Sequence, residues 1–156
     1  MKKIKFIFIV LIIFSVDFFS KKWIIDNFLI EQNVNITSMI RLIHLRNSGI
    51  AFGLFQCETH WQSKVLLIIS IFILFVLLKI CITCKNKLDK ISYSIILGGA
   101  SGNIYDRILY GSVTDFIDLH LGIWHWPVFN IADISILVGA GMLLLKSNNK
   151  FILKFE

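Results

Sequence analysis

Residues 65–82 read VLLIISIFILFVLLKICI. Eighteen residues with one charge, Lys79, placed near the end have the length and polarity of a bilayer-crossing helix, for which about 20 mostly apolar residues suffice. Three other stretches share this character less purely. Residues 4–25 are broken by Asp17, Lys21 and Lys22, residues 91–109 are rich in glycine, and residues 128–145 carry Asn130 and Asp133 near their start. The whole chain of 156 residues is 56% apolar and 17% charged, with 14 Phe and a mean hydropathy of +0.77. That length suits one domain. The composition excludes a disordered chain, and three cysteines without a dense pattern exclude a disulfide scaffold.

The first stretch also resembles a secretory signal, because Lys2, Lys3 and Lys5 precede an apolar run. No small-x-small cleavage site follows: Asp17, Phe18 and Phe19 stand where one is needed, so it reads as a spanning helix. With the N-terminus inside, ten of sixteen basic residues fall on short inner segments and eight of ten acidic residues fall outside. The positive-inside rule then puts both termini in the cytoplasm. The net charge of +6 is thereby a topology signal rather than a nucleic-acid footprint.

Residues 27–63 are too long for a structureless connection. Val34–Thr37 and Ile40–Leu45 have strand character, the second with a period-2 pattern, and Asn47-Ser48-Gly49 reads as a turn. A small β element, about residues 30–56, is expected on the outer surface. Residues 110–127 form the second outer connection, with Asp115, Asp118, Trp124 and Trp126 at headgroup level.

Charged groups inside a spanning helix cost roughly 2.5–3.5 kcal/mol each by insertion scales and need a reason. Here they share one depth. Asp17 and Lys21 end the first helix, Asn103 and Arg107 the third, and Asn130 and Asp133 begin the fourth. Asp17 and Lys21 have the i,i+4 spacing of an ion pair. Gly98 and Gly102 form a small-xxx-small pair that admits a close neighbour helix. Asn130 and Asp133 have the spacing of a capping box. If Asp115 or Asp118 approaches Asp133, two carboxylates share a proton, and the residues alone do not choose between them. Such a pair activates water for attack on a carbonyl. Cys81-x-x-Cys84 is an isolated pair at the inner end of a helix, while His44, His60, His120 and His125 all fall on the outer side, so no metal and no cofactor are expected. A small transporter or proton channel would also bury Asp, Arg and Asn, but the inner halves of these helices are almost bare of polar groups.

The motifs together resemble the prolipoprotein signal peptidases, the signal peptidase II family of membrane aspartyl peptidases. Five stretches carry the resemblance. They are Asp17-Phe-Phe-Ser20-Lys21, Asn47-Ser-Gly49-Ile-Ala51-Phe52-Gly53, Gly98-Gly-Ala-Ser-Gly102-Asn103-Ile-Tyr-Asp106-Arg107, Gly111-Ser-Val113-Thr-Asp115-Phe116-Ile117-Asp118 and Phe129-Asn130-Ile131-Ala132-Asp133. Ser20 and Thr114 stand where Thr and Val are common in the family. The resemblance implies that Asp115 and Asp133 are the catalytic pair. It also implies that Asn47, Gly49, Asn103, Arg107 and Asn130 bind substrate, with Asp17 and Lys21 supporting. The implied substrate is a prolipoprotein whose cysteine carries a diacylglyceryl group, cut just before that cysteine.

The expected fold is an all-α membrane protein with a small β element. It comprises one domain over residues 1–156, a four-helix transmembrane bundle (about 4–25, 65–82, 91–109 and 128–145) and an extracytoplasmic β-cradle. The expected setting is a bacterial inner membrane, crossed several times, with the site near the outer face. The expected partners are lipid-modified prolipoproteins and membrane lipids, with no nucleic acid and a monomeric state.

Overall fold

In the computed structural model, described for residues 4–49 and 60–152, four long helices carry one four-stranded antiparallel sheet. The order is α1 (Ile4–Asn27), β1 (Asn33–Asn35), β2 (Ile40–Asn47), α2 (His60–Thr83), α3 (Lys87–Tyr110), β3 (Val113–Leu121), β4 (Trp124–His125) and α4 (Ile131–Ile152). Ala51, Phe52, Gly53 and Cys57 lie outside the described residues, as does the far end of the expected β element.

Local signals set the helix ends. Asn86 caps α3 by accepting the N–H groups of Leu88 and Asp89, and Gly111 closes it in the left-handed conformation (φ 69°), its N–H donating to the Arg107 carbonyl. α4 begins at Ile131 and not at Val128, because Phe129 still pairs with Ile117 of β3. Pro127 therefore precedes the helix, and Asn130 caps it.

The sheet runs β1-β2-β3-β4. It is larger than expected, since the connection at 110–127 supplies β3 and β4. β3 is hard to read because the side chains of both its faces are buried over Val113–Phe116, so polarity does not alternate. In β2 the register against β3 shifts between Leu42 and Leu45. That irregularity lets the successive residues Ile43 and His44 both be buried, where the period-2 reading assigns them to opposite faces.

α3 is the central helix, packed on α1, α2 and α4. Its glycines permit the close approach of α1 and α4. A methyl group at Gly98 would lie 2.8 Å from Ile13 Cβ, one at Gly99 2.5 Å from the Ala132 carbonyl oxygen, and one at Gly102 against the Asp17 carboxylate. The burial pattern is inverted relative to a water-soluble domain. The largest fully enclosed side chains include Lys21, Asn130, Thr114, Asp17 and Asp118, while Phe8 and Leu11 of α1, Ile68, Phe72 and Phe75 of α2, and Leu137 of α4 point outward. Among the described residues, Trp61–Thr83 alone is long and apolar enough to cross a membrane by length and composition. α1 and α3 are interrupted by the charged groups that they bury.

Candidate active site

The polar layer expected from the sequence converges at one end of the bundle. Lys21 is its hub. Its ammonium lies 2.7 Å from Asp17, donates to Asn103 Oδ1 at 2.8 Å and stands 3.8 Å from Asp106. The i,i+4 ion pair thus forms, and it also belongs to the site. Asp17 is fully enclosed and accepts the N–H of Ala132 at 2.8 Å. A carboxylate of α1 thereby satisfies an orphan donor in the first turn of α4, where the helix dipole favours negative charge.

With its oxygen held by Lys21, Asn103 has only one orientation for its amide, which donates to Asp133 Oδ1 at 2.8 Å. Asn130 and Asp133 form the reciprocal capping box. The Asp133 N–H donates to Asn130 Oδ1 at 2.9 Å, and the Asn130 N–H donates to Asp133 Oδ2 at 3.3 Å. The Asn130 side-chain amide is left to donate to Asp115 Oδ1 at 2.6 Å and Asn103 Oδ1 at 3.2 Å. Asn47, at the end of β2, donates to Asp115 Oδ2 at 2.8 Å. Its own Oδ1 accepts the Gly49 N–H at 2.9 Å, forming the expected turn. Arg107 donates to the Gly49 carbonyl at 3.0 Å, tying α3 to that turn.

Asp115 and Asp133 line one cavity of about 190 Å³ with Asn47, Asn103 and Arg107; Ile73 of α2 and Ile136 of α4 are apolar lining residues, and Ser70 of α2, whose hydroxyl donates to the Leu66 carbonyl, also lines it. Burial, and next the charge of Asp133, push the Asp115 carboxyl up to about 7, against the opposing donors Asn47 and Asn130. A carboxyl near 7 beside a second carboxylate is equipped to give and take a proton at neutral pH.

Asp118 is elsewhere. Three residues along a strand is an odd step, so Asp115 and Asp118 point to opposite faces of β3. Asp118 pairs with Arg41 at 2.5 Å and His125 at 2.9 Å. Burial works to raise its pKa, but the His125 and Arg41 hydrogen bonds outweigh it and hold the carboxyl below its ordinary range. Arg41 faces Asp118 across the β2–β3 pairing, a relation that needs the strand register and leaves no trace in the sequence. Asp106 has no role in the sequence reading either. It accepts the Thr114 N–H at 2.8 Å and so anchors the start of β3 on α3. Its position three residues after Asn103 was the available signal. In the N-terminal half of α3, the hydroxyls of Ser92 and Ser94 bond back to the Leu88 and Lys90 carbonyls.

The fold is that of a bacterial membrane enzyme. One such enzyme, solved by the in meso method at 2.3 Å resolution, aligns with a TM-score of 0.84 and 27% identity over 94% of this chain and 89% of its own. Another, at 1.9 Å resolution, aligns with a TM-score of 0.79 and 28% identity, covering 91% of each. The chain belongs to the signal peptidase (SPase) II family, whose model matches residues 9–149. It is 48% identical over 145 residues to a lipoprotein signal peptidase of Wigglesworthia glossinidia brevipalpis, covering 93% of this chain and 94% of that one. It is 46% identical over 145 residues to the lipoprotein signal peptidase of Buchnera aphidicola subsp. Schizaphis graminum (strain Sg), covering 91% and 92%.

Proposed function

We propose that the chain is an aspartic endopeptidase that removes the signal peptide from diacylglyceryl-modified prolipoproteins, cutting before the lipidated cysteine. Its membership of the signal peptidase II family supports the peptidase activity. The names of its relatives support the substrate class. The observation that carries the catalytic type is the meeting of Asp115 and Asp133 on one cavity, with Asn130 bonded to both.

One carboxylate takes a proton from water as the water oxygen bonds to the scissile carbonyl carbon. The protonated partner donates to the carbonyl oxygen and stabilises the tetrahedral intermediate. Collapse breaks the C–N bond, and the departing amine takes the proton held by the pair. Asn47, Asn103, Arg107 and Asn130 orient the peptide backbone, and Asp17 and Lys21 hold those groups in place. A peptide entering from lipid has lost its helical hydrogen bonds, and these donors and acceptors replace them. No cofactor takes part.

In this reading all four helices cross a bacterial inner membrane, both termini are cytoplasmic, and the sheet and aspartates lie near the outer face. The apolar outward faces of α1, α2 and α4 and the basic inner segments support it. The enzyme works as a monomer. Ile73 of α2 and Ile136 of α4 line its cavity, which suits a substrate arriving sideways with its acyl chains.

The test is cleavage of a lipidated prolipoprotein by purified protein in nanodiscs. Wild type should cut it efficiently and should cut the unlipidated precursor very poorly. Asp115→Asn and Asp133→Asn should each lower turnover by at least roughly a thousandfold, and the double variant should be little worse, because the pair acts as a unit. Turnover within tenfold of wild type in either single variant would sink the aspartic mechanism.

A further inference from the structure

The end of the bundle away from the aspartates holds two adjoining cavities that this chemistry does not use. One, of about 320 Å³, lies between α1, α2 and α3 and is walled by Phe6, Val10, Leu78, Cys81 and Leu97, with Lys90 at its edge. The other, also about 320 Å³, shares Phe6 and Lys90 and adds Lys85 and Lys87. The first is thus apolar and the second basic. Lys90 joins them, its ammonium 5.7 Å from the centre of the Phe6 ring.

Among the described residues, none of these three lysines forms an ion pair. Asp89, their neighbour in sequence, is engaged by Lys146. Lys87 opens α3, so the positive end of that helix dipole adds to the same field. Three cations beside an apolar slot between helices complement a molecule with an anionic head and a hydrocarbon tail. A basic pocket between spanning helices is a recognised docking place for anionic lipid headgroups. Cys81, part of the Cys81-x-x-Cys84 spacing that the peptidase reading leaves idle, is a wall residue of that slot.

We propose that this end of the protein binds one anionic glycerophospholipid, with an acyl chain in the apolar cavity and the phosphate on Lys85, Lys87 and Lys90. The inference rests on the membrane-spanning reading. Lipid bound there ties α1, α2 and α3 together and stabilises the folded state by mass action.

The experiment uses the full chain in detergent, titrated with dioleoyl phosphatidylglycerol, dioleoyl phosphatidylcholine or inorganic phosphate, and reads melting temperature and lipid retention by native mass spectrometry. Phosphatidylglycerol should bind and raise the melting temperature; the other two should do neither. Replacing Lys85, Lys87 and Lys90 together by Gln should weaken phosphatidylglycerol binding by about a hundredfold, while replacing all three by Arg should preserve it. Leu78→Trp, which fills the slot, should weaken binding and leave prolipoprotein cleavage intact. Equal retention of the two lipids, an unaffected Gln variant, an unaffected Leu78→Trp variant, or binding of phosphate alone would each overturn the proposal. Resistance of the protein to carbonate extraction from membranes reports insertion separately, so failure of the spanning reading is distinguishable from failure of the lipid site.

Discussion

Asn130 donates its side-chain amide to Oδ1 of Asp115 at 2.6 Å. Its carbonyl oxygen caps α4 through the Asp133 N–H at 2.9 Å. One asparagine therefore starts a helix and couples the two carboxylates. Asn130→Ala removes a cap worth about 1 kcal/mol and should lower the melting temperature by about 2–4 °C. Asn130→Asp keeps the cap but replaces the donor with a third carboxylate. Both variants should lose more than tenfold in cleavage, and the Asp variant should keep more of its stability at the cap. Normal turnover in both would confine Asn130 to capping.

The Asp115 carboxyl predicts a pH dependence. Its pKa is raised from 3.8 to about 7, so the folded protein holds a proton that the unfolded chain has lost between those values. The stability contributed is full below 3.8 and is lost as pH rises through about 7. Melting temperature should accordingly fall across that window, and Asp115→Asn should flatten this part of the curve. Cleavage should fall on the basic side as Asp115 loses its proton, with the limb near about 7. A rate that is flat from pH 6 to 9 would remove Asp115 as the proton donor.

Close approach at the glycines of α3 makes their size critical. A methyl at Gly99 meets the backbone of α4 at 2.5 Å, and one at Gly102 meets the Asp17 carboxylate. Gly99→Ala and Gly102→Ala should each cost about 1–3 kcal/mol by overpacking. Gly102→Ala should also reduce cleavage by displacing Asp17 from Lys21 and Ala132. Gly141, in α4, has no neighbour within 4 Å of its added methyl. Gly141→Ala should be neutral or stabilising by up to about 1 kcal/mol. Thermal unfolding of the three variants in one detergent checks the order.

Asp118 tests the division of labour on β3. Removing its charge frees Arg41 and His125 and should destabilise the protein by about 1–3 kcal/mol, while cleavage by Asp118→Asn should persist. The lowered pKa means that this carboxylate stabilises above its unfolded value and ceases to do so as pH falls through its folded value. The gap between wild type and Asp118→Asn should therefore close in acid. Loss of cleavage at full stability would reassign the catalytic role.

Much was settled by short stretches of chain. The run at 65–82 specifies an apolar helix whatever it packs on, because its hydropathy is continuous. Asn130 and Asp133 specify a helix start, because a capping box is local. The turn at Asn47–Gly49 closes through Asn47's own side chain. The resemblance carried by five motifs pointed to Asp115, where the residues alone left Asp118 open. Only the tertiary structure separates those two in space, because the opposite faces of β3 have different neighbours: Asn47 and Asn130 for one, Arg41 and His125 for the other. The extent of the sheet and the delayed start of α4 likewise depend on pairing between residues far apart in sequence. The join of Lys21 to Asn103, 82 residues away, requires α1 to lie against the glycines of α3. A sequence states which groups a chain owns and how each turn closes; which carboxylate faces which amide is decided by packing, where a methyl group's width at Gly99 or Gly102 separates contact from collision.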